Sequence, residues 1–392
     1  MNWLDLILIV LVIGAFIHGF RLGAVVQILA YGGLLLGFGL GALALPFVTP
    51  LVHSATAKQV LTLVVVFGLA IAFSMVGRII GIRIHPVLHR TPLAVIDSGA
   101  GVVIAVVATL IVSWLIAGVL VNGSWPAVST EITNSSIMRA VDDVMPPAPS
   151  WIARIQSELN ATGFPSVFAG LAPLLSGPVQ EASTTEVSSA VAADAASTVR
   201  IVGVGCNQIQ EGSGFVAAPG YVVTNAHVVA GIPAGALTVQ DGAGRHAATV
   251  VSFDPNFDLA VLRVPDLHDP ALKVFDGYVS RGQQAAVLGY PGGGPFKAVP
   301  AGVRTGFDAV GRDIYGEGLT KRPVYEIQAI VQPGNSGGPL AEPDGEVVGV
   351  VFSRSTTNPT IGYALTTPGV VSRVDKAMTS SGAVSTGSCL AG

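Results

Sequence analysis

The hydrophobic rhythm of the chain changes twice. Four long apolar stretches come first, at roughly 4–20, 24–45, 60–80 and 95–121, and none has a Lys or Arg in its middle. A helix rises 1.5 Å per residue, so about 20 apolar residues cross a bilayer core. The pattern predicts four transmembrane helices. Between 122 and 197 the apolar runs shorten into two amphipathic patterns, near 134–144 and 150–161, on either side of Pro146, Pro147 and Pro149. Residues 181–198 are rich in Ala, Ser and Thr without an aromatic, and read as an exposed tether with some helix. From about residue 199 short β-branched runs alternate with Gly, Pro, Asn and Asp: 199–204, 214–217, 221–224, 247–253, 260–264, 285–288, 324–330 and 346–352. Regularly spaced short strands point to an all-β sandwich or barrel. The expected division is therefore a membrane domain over 1–122, a linker over 123–197 and a β domain over 198–392.

Composition sharpens this division. Charged residues make up 11% of the 392 residues, against about 25% in a typical soluble domain. Residues 1–121 carry five Lys or Arg and only Asp5 and Asp97 as acids, a net of +3, and the rest of the chain carries -7, which together give the total of -4. No basic block exists, so nucleic acid is not an expected partner. A cleaved signal peptide fits poorly, because only Asp5 is charged before Arg21. Short cytoplasmic loops are enriched in Lys and Arg. Arg21 follows the first span, Lys58 the second, and Arg83 and Arg90 the third. The first and third loops then face the cytoplasm. Both termini and the whole β domain lie outside it, at the plasma membrane on the periplasmic side. An odd number of spans would reverse that placement.

Three features of the apolar region have both a bland and a functional reading. Gly33, Gly37 and Gly41 recur every four residues, which suits close helix approach. Asp97 opens the fourth span and is expected to cap it, with pairing to Arg78 or Arg90 or a polar pathway as alternatives. His85 and His89 have i, i+4 spacing, but Pro86 lies between them and no third ligand is near, so no metal site is expected. The four spans, Gly19–Arg21, and Asp97 ahead of Gly99 and Gly101 weakly resemble the colicin V production (CvpA) membrane family.

The chemistry lies in the β domain. Three segments stand out: Thr224-Asn225-Ala226-His227-Val228-Val229, Phe257-Asp258-Leu259-Ala260-Val261-Leu262 and Gly334-Asn335-Ser336-Gly337-Gly338-Pro339-Leu340. A serine hydroxyl is a poor nucleophile at neutral pH. It needs a neutral imidazole to take its proton and a buried carboxylate to fix that imidazole's tautomer. The tetrahedral intermediate needs backbone N–H donors, and glycines beside the serine allow the turn that aims them. The order His…Asp…Ser is that of the chymotrypsin class, whereas a lipase-type elbow needs Ser…Asp…His on an α/β fold. Taken singly, His227 reads equally as a core histidine, Asp258 as a turn aspartate and Ser336 as a turn serine. Their order and flanking residues together outweigh those readings. His246 and His268 lack such flanks and read as surface residues.

These segments resemble trypsin-like serine proteases of the HtrA branch, as do Glu211–Val216 and Gly362–Leu365. The resemblance covers about 199–375. It implies a chymotrypsin-like pair of six-stranded β-barrels, with His227 and Asp258 on the first and Ser336 on the second. It also implies an oxyanion hole from the amides of Gly334 and Ser336, and no metal or other cofactor. In that fold Ile330 would form the base of the specificity pocket, with Val351 and Phe352 on the facing strand, which favours an apolar residue before the cleaved bond. Arg200-Ile201-Val202-Gly203 invites a zymogen reading, in which a new N-terminus pairs with an acid before the serine. That neighbour here is Asn335, which cannot balance a buried ammonium. Ile201 is therefore expected in a strand. Too few residues follow 375 for a PDZ domain.

Cys206 and Cys389 are the only cysteines. On the expected orientation both lie where disulfides persist, so pairing is expected, with two unpaired thiols as the alternative. Four spans, a tether, an HtrA-like domain without PDZ and a terminal cysteine pair together resemble the actinobacterial membrane-anchored acid-resistance proteases. That resemblance implies a periplasmic serine endopeptidase that cleaves extracytoplasmic proteins in acid or envelope stress. Self-cleavage within 181–198 is a further expectation. The rival reading is a transport or scaffold protein whose outer domain acts as a chaperone-like binder.

Overall fold

The computed structural model describes residues 2–52, 54–88, 94–121, 126–145, 155, 167–168, 176–379 and 382–390. Two compact units divide the chain. The first runs from Met1 to Ala161, and the second holds Thr162–Ala169 and Leu174–Ala391.

The first unit is helical: α1 (Trp3–Val48), α2 (Ala55–Leu88), α3 (Ala94–Leu120), α4 (Pro126–Asn134) and α5 (Ser136–Asp142). Among the described residues three helical stretches are long and apolar enough to cross a membrane, Trp3–Leu51, Ala57–His85 and Ile96–Leu120. The expected first and second spans are one helical run, broken at Gly23, whose φ of 73° and ψ of 175° are not helical. The contacts show what the break does. Gly19 lies against Gly101 and Ala105, and Gly23 against Asp97, so α1 starts antiparallel to α3. Beyond Gly23 the sense reverses, since Tyr31 meets Thr109 through their hydroxyls at 3.1 Å. Asp97 Oδ1 accepts from Ala24 N at 3.0 Å and Val25 N at 3.3 Å. Asp97 was expected to cap its own helix; its Oδ1 caps the restarted half of α1.

That restarted half packs tightly on α2. A Cβ built at Gly33, Gly37 or Gly41 would lie 2.3 Å from Phe73 O, 2.4 Å from Leu69 O or 2.8 Å from Val66 Cα. The four-residue glycine spacing is a helix-contact stripe. Asp5 Oδ1 accepts from Ser135 Oγ at 2.6 Å, and Trp114 Nε1 donates to Asp142 Oδ1 at 2.6 Å. Residues 126–142, expected as linker, are bound into this unit. His89 and most of 146–161 lie outside the described residues.

The second unit opens with α6 (Thr184–Asp194), a helix with a capping box in which Ser183 and Glu186 satisfy each other's backbone N–H. Ala190 is buried, and Val187 and Val191 pack on Ala286, Leu288 and Ala341. The segment 181–198 is therefore a docked helix and not an exposed tether. Its apolar side chains at i, i+3 and i+4 make one sticky face despite the bland composition.

Among the described residues fourteen strands follow. The first sheet contains β1 (Thr198–Gly205), β2 (Gln208–Ala218), β3 (Tyr221–Thr224), β4 (Leu237–Gln240), β5 (Arg245–Ala247), β6 (Thr249–Asp254) and β7 (Leu259–Arg263), with the short helix α7 (Ala226–Val229) after β3. Its order is β5-β4-β1-β2-β3-β7-β6. Only Ala248 separates β5 from β6, so one bent strand pairs with β4 on one side and β7 on the other and closes a barrel. Cys206 and Asn207, with φ of 56° and 58°, make the two-residue turn between β1 and β2.

The second sheet contains β8 (Lys273–Val274), β9 (Gln284–Gly289), β10 (Lys297–Arg312), β11 (Leu319–Gln328), β12 (Pro339–Ala341), β13 (Glu346–Arg354) and β14 (Ile361–Thr366). Its order is β12-β9-β10-β11-β14-β13-β8, closed by β12 pairing with β13. The chain ends in helix α8 (Thr367–Met378) and a tail. Each barrel has its own core. A third core, including Phe215, Phe257, Phe352, Tyr363 and Val370, joins both barrels and α8.

Candidate active site

The structure assembles the three expected segments at the seam between the barrels. β3 delivers Asn225 in extended conformation (φ -79°, ψ 150°), and α7 begins immediately, carrying His227 on its first turn. Asp258 ends the turn that joins β6 to β7. It is fully buried and has φ of 63°, an uncommon state for a residue other than glycine. Three groups hold it there. Its amide donates to Asp254 O at 2.9 Å, its carbonyl accepts from Asn225 Nδ2 at 2.9 Å, and its carboxylate faces His227. His227 Nδ1 lies 2.8 Å from Asp258 Oδ2 and 3.0 Å from Oδ1, and the His227 amide donates to Oδ1 at 3.0 Å. A carboxylate bound on both sides in this way favours the tautomer with a proton on Nδ1 and the lone pair on Nε2.

Ser336 lies in a tight turn ahead of β12. Its carbonyl accepts from Ser213 N at 2.8 Å, and Gly337 N donates to Val351 O at 2.8 Å. Thr224 Oγ1 donates to Ser213 O at 2.7 Å, so the strand entering His227 and the loop holding Ser336 share Ser213. Ser336 Oγ makes no hydrogen bond to the imidazole in this conformation. Such contacts commonly tighten only with substrate bound.

Gly334 has φ of 92°. The carbonyl of Pro333 accepts from Gly292 N at 2.6 Å. In a planar trans peptide the N–H of Gly334 then points the opposite way. Ser213 Oγ donates to Gly334 O at 2.6 Å and accepts from Tyr290 N at 2.9 Å, which fixes the next peptide. Asn335 Oδ1 accepts from Gln332 N at 2.9 Å, so the neutral side chain braces its own turn. Ile201 lies inside β1, opposite Gly212 and Val239, as a strand residue.

The specificity residues are placed differently from expectation. Ile330 is 54% exposed, whereas Val351 and Phe352 are fully buried in separate cores. Both faces of β13 are covered, one by its own barrel and one by the inter-barrel core. Neither Val351 nor Phe352 is a side-chain wall for substrate. Val351 contributes backbone, bonding Gly337 N and Gly338 O. Ser213 and Asn225 carry structural weight that sequence reasoning missed, although both lie within the quoted motifs.

Cys206 and Cys389 form a disulfide with Cα atoms 5.7 Å apart. It pins the tail beside α7, where Leu390 joins Ala226, Ala230, Ile314 and Tyr315 in a small core. Among the described residues Glu342, Asp344 and Glu346 are close enough to share a cation. Lys273 Nζ already lies 2.7 Å from Glu346.

Two β-barrels with histidine, aspartate and serine loops meeting at their seam define a trypsin-like serine protease. Comparison with known proteins agrees. Residues 212–350 match the trypsin-like peptidase domain family, and residues 4–146 match the colicin V production protein family. The chain is 35% identical to serine protease Rv3671c of Mycobacterium tuberculosis over 99% of both chains. The crystal structure of that protease in its active form superimposes with a TM-score of 0.53 at 40% identity, covering 56% of this chain and 97% of that one. A probable periplasmic serine endoprotease, DegP-like, from Marinomonas sp. is 34% identical over 42% of this chain and 35% of its own length. The chain belongs to the Rv3671c-like (MarP) family of membrane serine proteases, hydrolases that join a CvpA-like helical region to a trypsin-like domain.

Proposed function

We propose that Ser336 is the nucleophile of an endopeptidase, with His227 as general base and then general acid. Asp258 orients His227 and stabilises its protonated form. The amides of Gly334 and Ser336 bind the oxyanion. The observation that carries this reading is the bond of His227 Nδ1 to the fully buried Asp258. The test is hydrolysis of a denatured protein substrate by full-length protein in detergent micelles. Ser336→Ala is expected to abolish turnover while leaving the fold intact, and turnover near the wild-type rate in that variant would refute the assignment.

We also infer that the helical region spans the membrane four times, with reversal at Gly23. Arg21 then lies at a cytoplasmic turn and the protease domain faces the periplasm. On this reading 1–122 anchors, with 126–142 packed into the same unit, and 198–392, with α6 docked on it, cleaves extracytoplasmic proteins under acid or envelope stress. Cysteine-accessibility labelling of Ser136→Cys and Ser252→Cys in intact cells tests the placement. Labelling of neither position would overturn it. Ile330, exposed near the serine loop, supports an apolar residue before the scissile bond. Self-cleavage at 181–198 would first require α6 to undock. Continued self-cleavage with α6 cross-linked to β9 would refute that route.

A further inference from the structure

One buried hydroxyl joins the two barrels behind the expected oxyanion amides. Ser213 lies on β2 of the first barrel and is fully buried. Its Oγ meets two groups of the second barrel, Tyr290 N at 2.9 Å and Gly334 O at 2.6 Å. An amide can only donate and a carbonyl can only accept, so the hydroxyl proton is committed to Gly334 O. Gly334 is the soft point of the serine turn. Without a Cβ it passes easily between conformations, and turning the peptide ahead of it would swing its N–H away from the oxyanion. Two bonds oppose this. Gly292 N holds Pro333 O at 2.6 Å ahead of Gly334, and Ser213 Oγ holds Gly334 O behind it. The first bond depends on the loop 290–293, which is itself rich in glycine, with φ of 63° at Gly292 and 65° at Gly293. Loop and turn are in backbone contact, since a Cβ at Gly334 would lie 2.4 Å from Tyr290 O and 2.8 Å from Gly292 N. The loop is tied down at Tyr290, whose amide donates to Ser213 Oγ and whose phenol donates to Thr198 O at 3.1 Å. The same hydroxyl therefore holds the peptide after Gly334 and the loop that holds the peptide before it.

Resting on the triad reading above, we propose that Ser213 is a positioning residue for the oxyanion hole, whose hydroxyl fixes the Gly334 amide in its donating direction before substrate arrives. The consequence is a division between binding and chemistry. The oxyanion forms only as the carbonyl is attacked, so donors aimed at it lower the barrier and add little to ground-state binding. A donor lost outright costs roughly 10²–10³ in kcat. Ser213→Ala leaves the amide in place but free to turn, so the expected loss is smaller, about 10- to 100-fold, and it falls on kcat rather than KM. The substitution also strips Gly334 O and Tyr290 N of this partner. A buried carbonyl or amide left unpaired is driven toward another, and that pulls both peptides out of position.

The experiment measures kcat and KM on a denatured protein substrate, and the rate of labelling by a small alkyl fluorophosphonate, for full-length protein in micelles. Wild type, Ser213→Ala and Ser213→Thr are compared, each with a melting curve. In the labelling step Ser336 Oγ displaces fluoride and the phosphoryl oxygen takes the place of the oxyanion. The reagent carries no peptide, so its rate reports the reacting centre alone. Ser213→Ala is expected to lower kcat and the labelling rate by the same factor, with KM within about twofold of wild type. Ser213→Thr keeps the hydroxyl and should recover most of both rates. A Ser213→Ala kcat within about threefold of wild type overturns the proposal, as does a loss carried by KM alone. A loss that a folded Ser213→Thr protein does not recover overturns it too. Should Ser213→Ala fail to fold, the ligand-free wild-type crystal structure decides. A Gly334 N–H turned away from the side of Ser336 Oγ, with the bond from Ser213 to Gly334 kept, overturns the proposal. Ser336→Ala separates the two readings. If it neither turns over nor labels while Ser213→Ala matches wild type, the triad stands and the Ser213 role falls. If it still turns over, both fall.

Discussion

Gly337 faces the hydroxyl of Thr224 so closely that a Cβ there would lie 2.3 Å from Thr224 Oγ1 and 2.2 Å from Ser213 O. Its φ of 84° is also in the left-handed region. The glycine after Ser336 is therefore needed twice, for its backbone and for its lack of bulk. Gly337→Ala is expected to push the Ser336 turn away from the strand that enters His227. A displacement of about 1 Å at such a centre costs around 100-fold in rate. The check is kcat/KM beside a melting curve, with the rate falling far more than the small shift in melting temperature would explain.

Asp258→Asn tests the orientation of the imidazole. The amide is almost the same size, so the turn and its bonds to Asn225 and Asp254 should persist. The side chain can donate to Nδ1, however, which would select the wrong tautomer. A fall in kcat of about 10⁴-fold is expected with KM little changed. A fall below tenfold would show that the carboxylate facing His227 does not act as the orienting group.

Much of this site was legible before the fold was known, and the reason is local. His227, Asp258 and Ser336 each sit within a short segment whose glycines and small residues encode the turn that presents them. The features that were not legible depend on distant partners. Arg322 meets Asn256 across 66 positions, and no periodicity announces such a pair. β10 was missed because Pro300, Gly302, Gly306 and Gly311 interrupt its pattern, although its long pairing with β11 overrides their weak strand preference. Val351 and Phe352 were read as pocket walls because a strand residue looks the same whether its outer face meets solvent or a second barrel. The helical segment α6 was read as a tether because its apolar stripe is built of small residues. Gly23 marked the boundary between two apolar runs, but only its φ and the contacts around it show the reversal.

Asp97→Ala tests that reversal. Removing the carboxylate takes this acceptor from the amide of Ala24, a buried contact, and from that of Val25. An N-cap is worth about 1 kcal/mol in water, and the loss is expected to be at least as large here. Detergent-titrated unfolding of the helical region should show it. Asp97→Asn, which keeps an acceptor oxygen, should recover most of the loss.

The last prediction concerns pH and Asp194, at the end of α6. Its side chain is 2% exposed, Oδ2 has no hydrogen-bond partner, and a Cβ at Gly345 would lie 3.0 Å from Oδ1. Burial, with a smaller contribution from nearby Asp344, pushes its carboxyl up to about 7. An unfolded chain holds aspartate near 3.9. The folded form therefore binds a proton that the unfolded form does not, across roughly pH 4 to 7. Native structure gains stability as pH falls through that window and loses it as pH rises through about 7. Glu342, beside Asp344, is raised in the same direction by its burial and by Asp344 and Glu346. The docking of α6 on β9 and β10 should tighten on acidification, by roughly 1–2 kcal/mol between pH 8 and pH 5 once solvent screening is allowed for. Hydrogen exchange at the α6 amides measures this directly. Protection should rise as pH falls, after correction for intrinsic exchange rates. Asp194→Asn should hold protection at the acid level throughout. A wild-type profile that is flat, or that falls toward pH 5, would show that Asp194 is not the controlling proton site.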